Sequence, residues 1–227
     1  MKTCVISLGG SVFIPSYIDY PFLERFRKLL LKFKKYKFVI VLGGGGIARK
    51  YIGPLKKRHV TRDVQSKFGV ETTRLNALFL MKFFGDCAND TIPKSMKHVK
   101  NLLAKNHVVF CGGLRFVSSS TSDGTAASLA HYFGSEFINM TDVDGLYTQD
   151  PNRFKKTAKF IPEISFNNFN NIIKQIKYKP GQHFVLDQLG SMIIKKYKVK
   201  TIILNGHKLK NFENYLKGKS FRGTVVC

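Results

Sequence analysis

A chain of 227 residues, 44% of them hydrophobic, is long enough for one sizeable α/β domain or two small lobes whose core needs no staples. Its 38 Lys and Arg against 14 Asp and Glu give a formal charge of +24, enough to attract nucleic acid, acidic membranes or small anions. No apolar run approaches the ~18 residues that span a bilayer, and MKTCVISLGG lacks the layout of a signal peptide, so a cytoplasmic protein with no membrane partner is expected. Lysine is spread from Lys2 to Lys219 without a basic arm or RGG tract, so the charge reads as a solvating surface. Nucleic-acid binding stays open as a secondary activity and is not predicted. Cys4, Cys87, Cys111 and Cys227 form no CxxC pair and the six histidines no ligand pair, which points to reduced thiols and no metal site in the protein.

Lys2 to Leu8 reads as a buried strand ended by Gly9, Gly10 and Ser11. Asp19 can cap a helix whose Phe22, Leu23, Phe26, Leu29, Leu30 and Phe33 form one apolar face. Phe38 to Leu42 is a second buried strand, running into Gly43, Gly44, Gly45 and Gly46 and then a helix start. A strand, a turn without Cβ atoms and a helix N-terminus suit a phosphate, and Arg49 and Lys50 add positive charge one turn in. The β-helix-β order makes a parallel sheet, with both glycine turns at its carboxyl edge.

Further along, a helix over 48–57 is expected to break at Gly53-Pro54, and 59–67 is hard to assign. The pattern predicts a long helix from Val70 to Phe84, with Leu75, Leu78 and Phe79 on its buried side and Gly85 as its end. A helix over Ser95 to Lys105 and a strand from His107 to Phe110 lead to a third turn, Gly112-Gly113. After the loop LRFVSSSTS comes a small-residue helix that Ser122 or Asp123 can cap. Glu136 to Met140 is a strand entering TDVDGLYTQDP, whose DxDG lacks the glutamate of a calcium loop and reads as a tight turn. Helices over Phe166 to Lys177, over Val185 to Lys196 with Asp187 in its first turn, and over Leu209 to Leu216 follow, with a break at Pro180-Gly181. Strands at Thr201 to Leu204 and Gly223 to Val226 and a turn at Asn205-Gly206 complete the chain. No linker separates these parts, so 1–227 counts as one domain with two lobes meeting near residue 135.

A Walker GxxxxGK[ST] is missing. Gly43, Gly45 and Ala48 fit GxGxxA with Asp63 twenty positions after Gly43, but KKRHVTR before Asp63 does not read as the strand a dinucleotide fold requires.

In order, ISLGGS, GGGGIARKYI, TRLNALFL, STSDGTAASLA, TDVDGLYTQDP and LDQLGSMII resemble the signature of the amino acid kinase superfamily over nearly the whole chain. The chain is most similar to the archaeal uridylate (UMP) kinase branch. The resemblance implies an α/β fold, a three-layer αβα sandwich around a mainly parallel sheet, with an acceptor lobe over about 1–135 and an ATP lobe over about 136–227. It implies transfer of the γ-phosphoryl of ATP, with Mg²⁺, to UMP, by a homohexamer. By similarity Gly9, Gly10 and Ser11 face the transferred phosphoryl, and Gly44, Gly45 and Arg49 hold the UMP phosphate. Thr121, Ser122 and Asp123 match the uridine-side and active-site segment. Thr141, Asp144, Gly145, Tyr147 and Asp150 match the ATP side, with Tyr147 able to pack on adenine. Asp187 matches a carboxylate that organises positive charge, a catalytic lysine included. Ser7, Gly46 and Met192 stand where relatives carry lysine, and Ser66, on the UMP side, stands where an aspartate usually meets the ribose. A sister enzyme for another small phosphate or carboxylate, and a catalytically weak nucleotide-binding protein, are the alternatives. Ile47-Ala48 after the glycines, in place of a histidine, argues against the isopentenyl phosphate branch.

Overall fold

Side chains along the central strands divide their burial by parity. In a computed structural model that describes residues 1–114, 121–151, 153–175 and 185–227, β1 (Lys2–Leu8) sends Cys4, Ile6 and Leu8 to one side and Val5 and Ser7 to the other. β2 (Tyr36–Leu42) repeats the split, with Phe38, Ile40 and Leu42 against Val39 and Val41. Because both faces are covered, the strands read as near-continuous apolar runs.

On the first side pack α2 (Tyr20–Lys32), α4 (Arg62–Phe84) and α9 (Leu209–Leu216), through Phe22, Phe26, Leu80, Phe84 and Phe212. On the second pack α5 (Met96–Lys105), α6 (Ser122–Phe133), α7 (Phe166–Gln175) and α8 (Gln188–Tyr197), through Val99, Leu103, Ala126, Phe169 and Ile194. The expected three-layer αβα sandwich is thus present. With β3 (Val108–Cys111), β4 (Phe137–Thr141), β7 (Glu163–Ile164), β8 (Thr201–Asn205) and β9 (Thr224–Val226), the sheet has seven strands in the order β3-β2-β1-β4-β8-β9-β7. Only the β8–β9 pairing is antiparallel within this sheet. The chain runs outward from β1 through β2 to β3, then restarts at β4 on the other flank of β1. That reversal makes a crevice at the carboxyl ends of β1 and β4, where open α/β sheets hold ligands.

Several local expectations change. Gly10–Phe13 forms a one-turn helix, α1, in place of a plain turn. α3 (Gly45–Lys57) runs straight through Gly53-Pro54: exposed Lys50 leaves the carbonyl that Pro54 cannot satisfy open to water, so the missing hydrogen bond costs less than a break. The long helix begins at Arg62, absorbing the polar stretch before it. Its buried side is rotated from the expected one, for Leu75 and Leu78 are exposed while Thr73, Asn76, Ala77, Leu80 and Phe84 face inward. The inward stripe carries the polar groups that meet the glycine turns, and these outweigh the more apolar flank. Leu146–Tyr147 (β5) and Phe160–Ile161 (β6) pair as a small antiparallel ribbon where only a turn was expected. Asp187 is the cap of α8 and not a residue of its first turn, and α6 is capped by Thr121, whose Oγ1 accepts from the Gly124 N–H. The break at Pro180-Gly181 and most of the loop after Leu114 lie outside the described residues.

Candidate active site

The glycine turns after β1 and β2 touch backbone to backbone. A Cβ on Gly10 would lie 2.5 Å from both Cα and N of Gly45, and Gly45 itself sits at φ +58°, so neither position admits another residue without displacement. Much of the glycine run therefore serves to seat one turn on the other, at the start of α3. Gly44 caps that helix, and a Cβ there would stand 2.7 Å from the Ala48 Cβ. Gly46 has only ordinary contacts around its missing Cβ, the nearest being Pro15 O at 3.8 Å and Arg49 Nη2 at 3.9 Å.

α4 fixes these turns from below. Asn76 Nδ2 donates to Gly43 O at 2.9 Å, and Thr73 Oγ1 accepts from the Gly113 N–H at 2.9 Å. Arg74 Nε donates to Gly113 O at 2.9 Å, so one helix holds the loops after both β2 and β3. Arg49 is exposed on the second turn of α3, and Ser66 is half-buried on α4, one turn before Gly69, whose carbonyl borders Gly44. Ser11 lies half-buried in α1 beside Gly9.

The centre is a pair of aspartates at two helix N-termini. Ser7 Oγ on β1 donates to Asp123 Oδ1 at 2.8 Å. Asp187 Oδ1 accepts from the Gly190 N–H at 2.7 Å, and the Thr121 hydroxyl also serves Asp187. Burial, and then the neighbouring Asp187, push the Asp123 carboxyl up to about 7, against the opposing pull of the Ser7 hydroxyl and the Asp187 backbone. Burial likewise raises Asp187, against the Gly190 N–H, Thr121 and the Leu189 N–H. No lysine, arginine or histidine is among the groups acting on either carboxyl within the described residues. The positive ends of α6 and α8 supply the compensating field. Ser122 opens α6 beside them, and Met192 is exposed on α8.

The other half of the rim is charged and paired. Asp144 meets Lys208 Nζ at 2.7 Å and Arg222 Nε at 3.0 Å, and accepts from Asn205 Nδ2 at 3.2 Å. Burial opposes ionisation there, but the Lys208 hydrogen bond and charge, with Asn205 and Arg222, hold the carboxyl below its ordinary range. Gly145 is tightly enclosed, as a Cβ would come within 2.6 Å of Thr224 Oγ1. Tyr147 meets Phe160 edge to face at 5.4 Å, and the Arg222 guanidinium lies 4.8 Å over the Phe160 ring. Thr141 donates to the Asp142 carboxylate at 3.2 Å, and Asp150 faces Arg153 at 3.6 Å beyond the ribbon.

The structure thus gathers Gly9, Gly10 and Ser11 with Gly44 and Gly45, gathers Thr121, Ser122, Asp123 and Asp187, and gathers Asp144, Gly145 and Tyr147. Arg49 lies beside the glycine run, its Nη2 3.9 Å from the position a Gly46 Cβ would take, while Ser66 lies on α4 and Asp150 pairs with Arg153 beyond the ribbon. Sequence reasoning passed over Ser7 as a contact, and with it Lys208, Phe160 and Arg222. A lone hydroxyl inside CVISL, and two basic residues next to the strands at Thr201 and Thr224, were the available signals.

The model of the amino acid kinase family matches residues 2–205. A uridylate kinase of Thermoplasma volcanium is 32% identical, with 96% of this chain and 94% of that protein covered. One from Methanobrevibacter smithii is 29% identical with 98% of both covered. The crystal structure of the uridylate kinase from Archaeoglobus fulgidus superposes with a TM-score of 0.85 at 30% identity over 100% of each chain. With a crevice at the reversal point of the sheet, interlocked glycine turns and a family match spanning nearly all of it, this chain belongs to the amino acid kinase family.

Proposed function

We propose that this protein is an ATP-dependent UMP kinase, a phosphotransferase that makes UDP. The observation that carries the reading is the end-to-end likeness to archaeal uridylate kinases. Phosphoryl transfer asks the protein mainly to hold two polyanions in line and to balance their charge. The phosphate of UMP is already largely ionised at neutral pH, since phosphate monoesters have a second pKa of about 6, so no strong base is needed.

In this reading Gly44, Gly45 and Arg49 hold the UMP phosphate, with Ser66, Thr121 and Ser122 toward the nucleoside. Gly9, Gly10 and Ser11 line the path of the transferred group. Thr141, Asp144, Gly145, Tyr147 and Asp150 form the ATP side. ATP arrives with Mg²⁺ on its phosphates as part of the substrate. Asp123 and Asp187 order the positive groups around the moving phosphoryl. The acceptor half is about 1–135 and the ATP half about 136–227, within one domain. The setting is cytoplasmic pyrimidine nucleotide synthesis; among the described residues no helix is long and apolar enough to cross a membrane.

We further read the working form as a homo-oligomer, a hexamer by family resemblance. Supporting this, Val64, Phe68, Leu75 and Leu78 are exposed at helical spacing along α4, a stripe that association would cover. A coupled ADP-release assay with UMP, CMP, dTMP and isopentenyl phosphate tests the function: UMP is expected to be preferred, and absence of that preference rejects the reading.

A further inference from the structure

We infer that Ser7 is a positioning residue whose buried hydroxyl fixes the Asp123 carboxylate where β1, α6 and α8 meet. Its consequence for turnover rests on the kinase reading above, but its effect on Asp123 does not.

Ser7 is 2% exposed, in register between Val41 of β2 and Asn139 of β4 at the centre of the sheet. A hydroxyl at so dry a position must be paired or pay for its lost hydration, and its hydrogen bond goes to Asp123 Oδ1, 116 residues away. An ionised carboxylate only accepts, so with Asp123 charged the Ser7 proton has one direction to point. The bond thereby favours one rotamer and works toward the charged form, against the burial and the neighbouring Asp187 that oppose it.

Each element packed on Asp123 has a defined contribution. β1 offers Ser7; the α8 cap offers the Asp187 carboxyl, which opposes ionisation, and the Asp187 N–H, which favours it. β4 offers Asn139, whose amide instead donates to Val185 O and so holds the segment entering Asp187. Near this end of β2 the residues are Ile40, Val41 and Leu42, with no titratable group, and α6 itself offers Thr121, engaged with Gly124 and Asp187. Among the described residues Ser7 is the side chain that stabilises the charged form of Asp123. It does so without introducing a charge, at a strand position from which a cation would instead pair with the aspartate.

Removing the hydroxyl should leave Asp123 harder to ionise. In full-length protein labelled with ¹³C at aspartate carboxyls, with the Asp123 signal identified by its loss in Asp123→Asn, Ser7→Ala is expected to raise the Asp123 midpoint by about one pH unit. The acidic limb of kcat with UMP and ATP should move up by the same amount, while KM for UMP changes less than about twofold. Ser7→Cys, close in volume and a weaker donor, should give a smaller shift in the same direction and covers the case that the alanine variant folds poorly. An Asp123 midpoint unchanged in both variants overturns the inference even if UMP is phosphorylated normally. A raised midpoint in a protein that turns over no UMP keeps Ser7 in this role and rejects the kinase reading instead. A raised midpoint with an unmoved limb overturns the link to turnover.

Discussion

Asp123 and Asp144 lie at the same edge of one sheet, yet their surroundings are opposite. Asp123 is half-buried beside a second carboxyl with no cation against it among the described residues, and lost hydration and that neighbour push it toward the neutral form. Asp144 keeps 17% of its side chain exposed, is clasped by Lys208 and Arg222, and is held in the charged form. Burying an ionisable group without a partner is costly, so a fold that retains one has another use for it. A compensated carboxylate, by contrast, is explained by the pieces it joins: here the loops after β4 and β8 and the lead into β9. The difference separates a carboxyl left without a countercharge from one whose charge is matched by the loops it joins.

The largest effect should come from Asp123→Asn. Turnover is expected to fall by about 100-fold or more, as removal of an electrostatic group from a transition state does. Stability should move the other way. The folded-state value of Asp123 lies above its unfolded one, so the native state binds the extra proton and this residue's contribution declines as pH rises from about 4 to about 7. Urea unfolding should therefore show the variant about 1–3 kcal/mol more stable at pH 8 and little changed at pH 4. A variant weakened at pH 8 would erase the contrast with Asp144.

Next is Asn76→Ala. It strips a buried partner from Gly43 O and should cost about 1–3 kcal/mol at every pH between 5 and 9, since no titration is involved. A pH-dependent loss in urea unfolding would argue against a purely architectural role. Arg49→Ala should raise KM for UMP about tenfold and leave KM for ATP alone, as loss of one charged phosphate contact would. Equal rises for both substrates would remove Arg49 from the acceptor side.

The smallest effect is expected from Asp144→Ala. Its partners are more than half exposed, and solvent screening limits the loss of stability to about 1 kcal/mol or less. The sign follows from its lowered value: the contribution is present above the unfolded carboxylate range near 4 and is lost as pH falls through the folded value. A thermal-melt difference that persists at pH 2 would show that Asp144 acts by packing and not by charge.

The central strands and their glycine turns were legible because short, mostly apolar runs ending in glycine leave little else for the chain to do. The order of turns and helix starts followed from them. α4 was misjudged because it is apolar on nearly every side from Ala77 to Phe84, so periodicity alone could not choose a face. The choice was made by Thr73 and Asn76, whose partners Gly113 and Gly43 lie on other elements. β5 and β6 escaped notice for a related reason: two-residue strands carry no period, and theirs is anchored by Thr224 from the far end of the chain. The candidate site divides along the same line. Asp123 and Asp187 were each legible as helix-start residues, but their mutual approach and the reach of Ser7 across 116 residues leave no local trace.

The polar stripe of α4 makes the rim at the glycine turns a single mechanical part. Gly43 hangs from Asn76 and Gly113 from Thr73 and Arg74, within one turn of the same helix. The loop at the head of α3 and the loop that follows β3 therefore ride on one shaft. A rotation or slide of α4 would carry Gly43 and Gly113 together, or break one of those bonds.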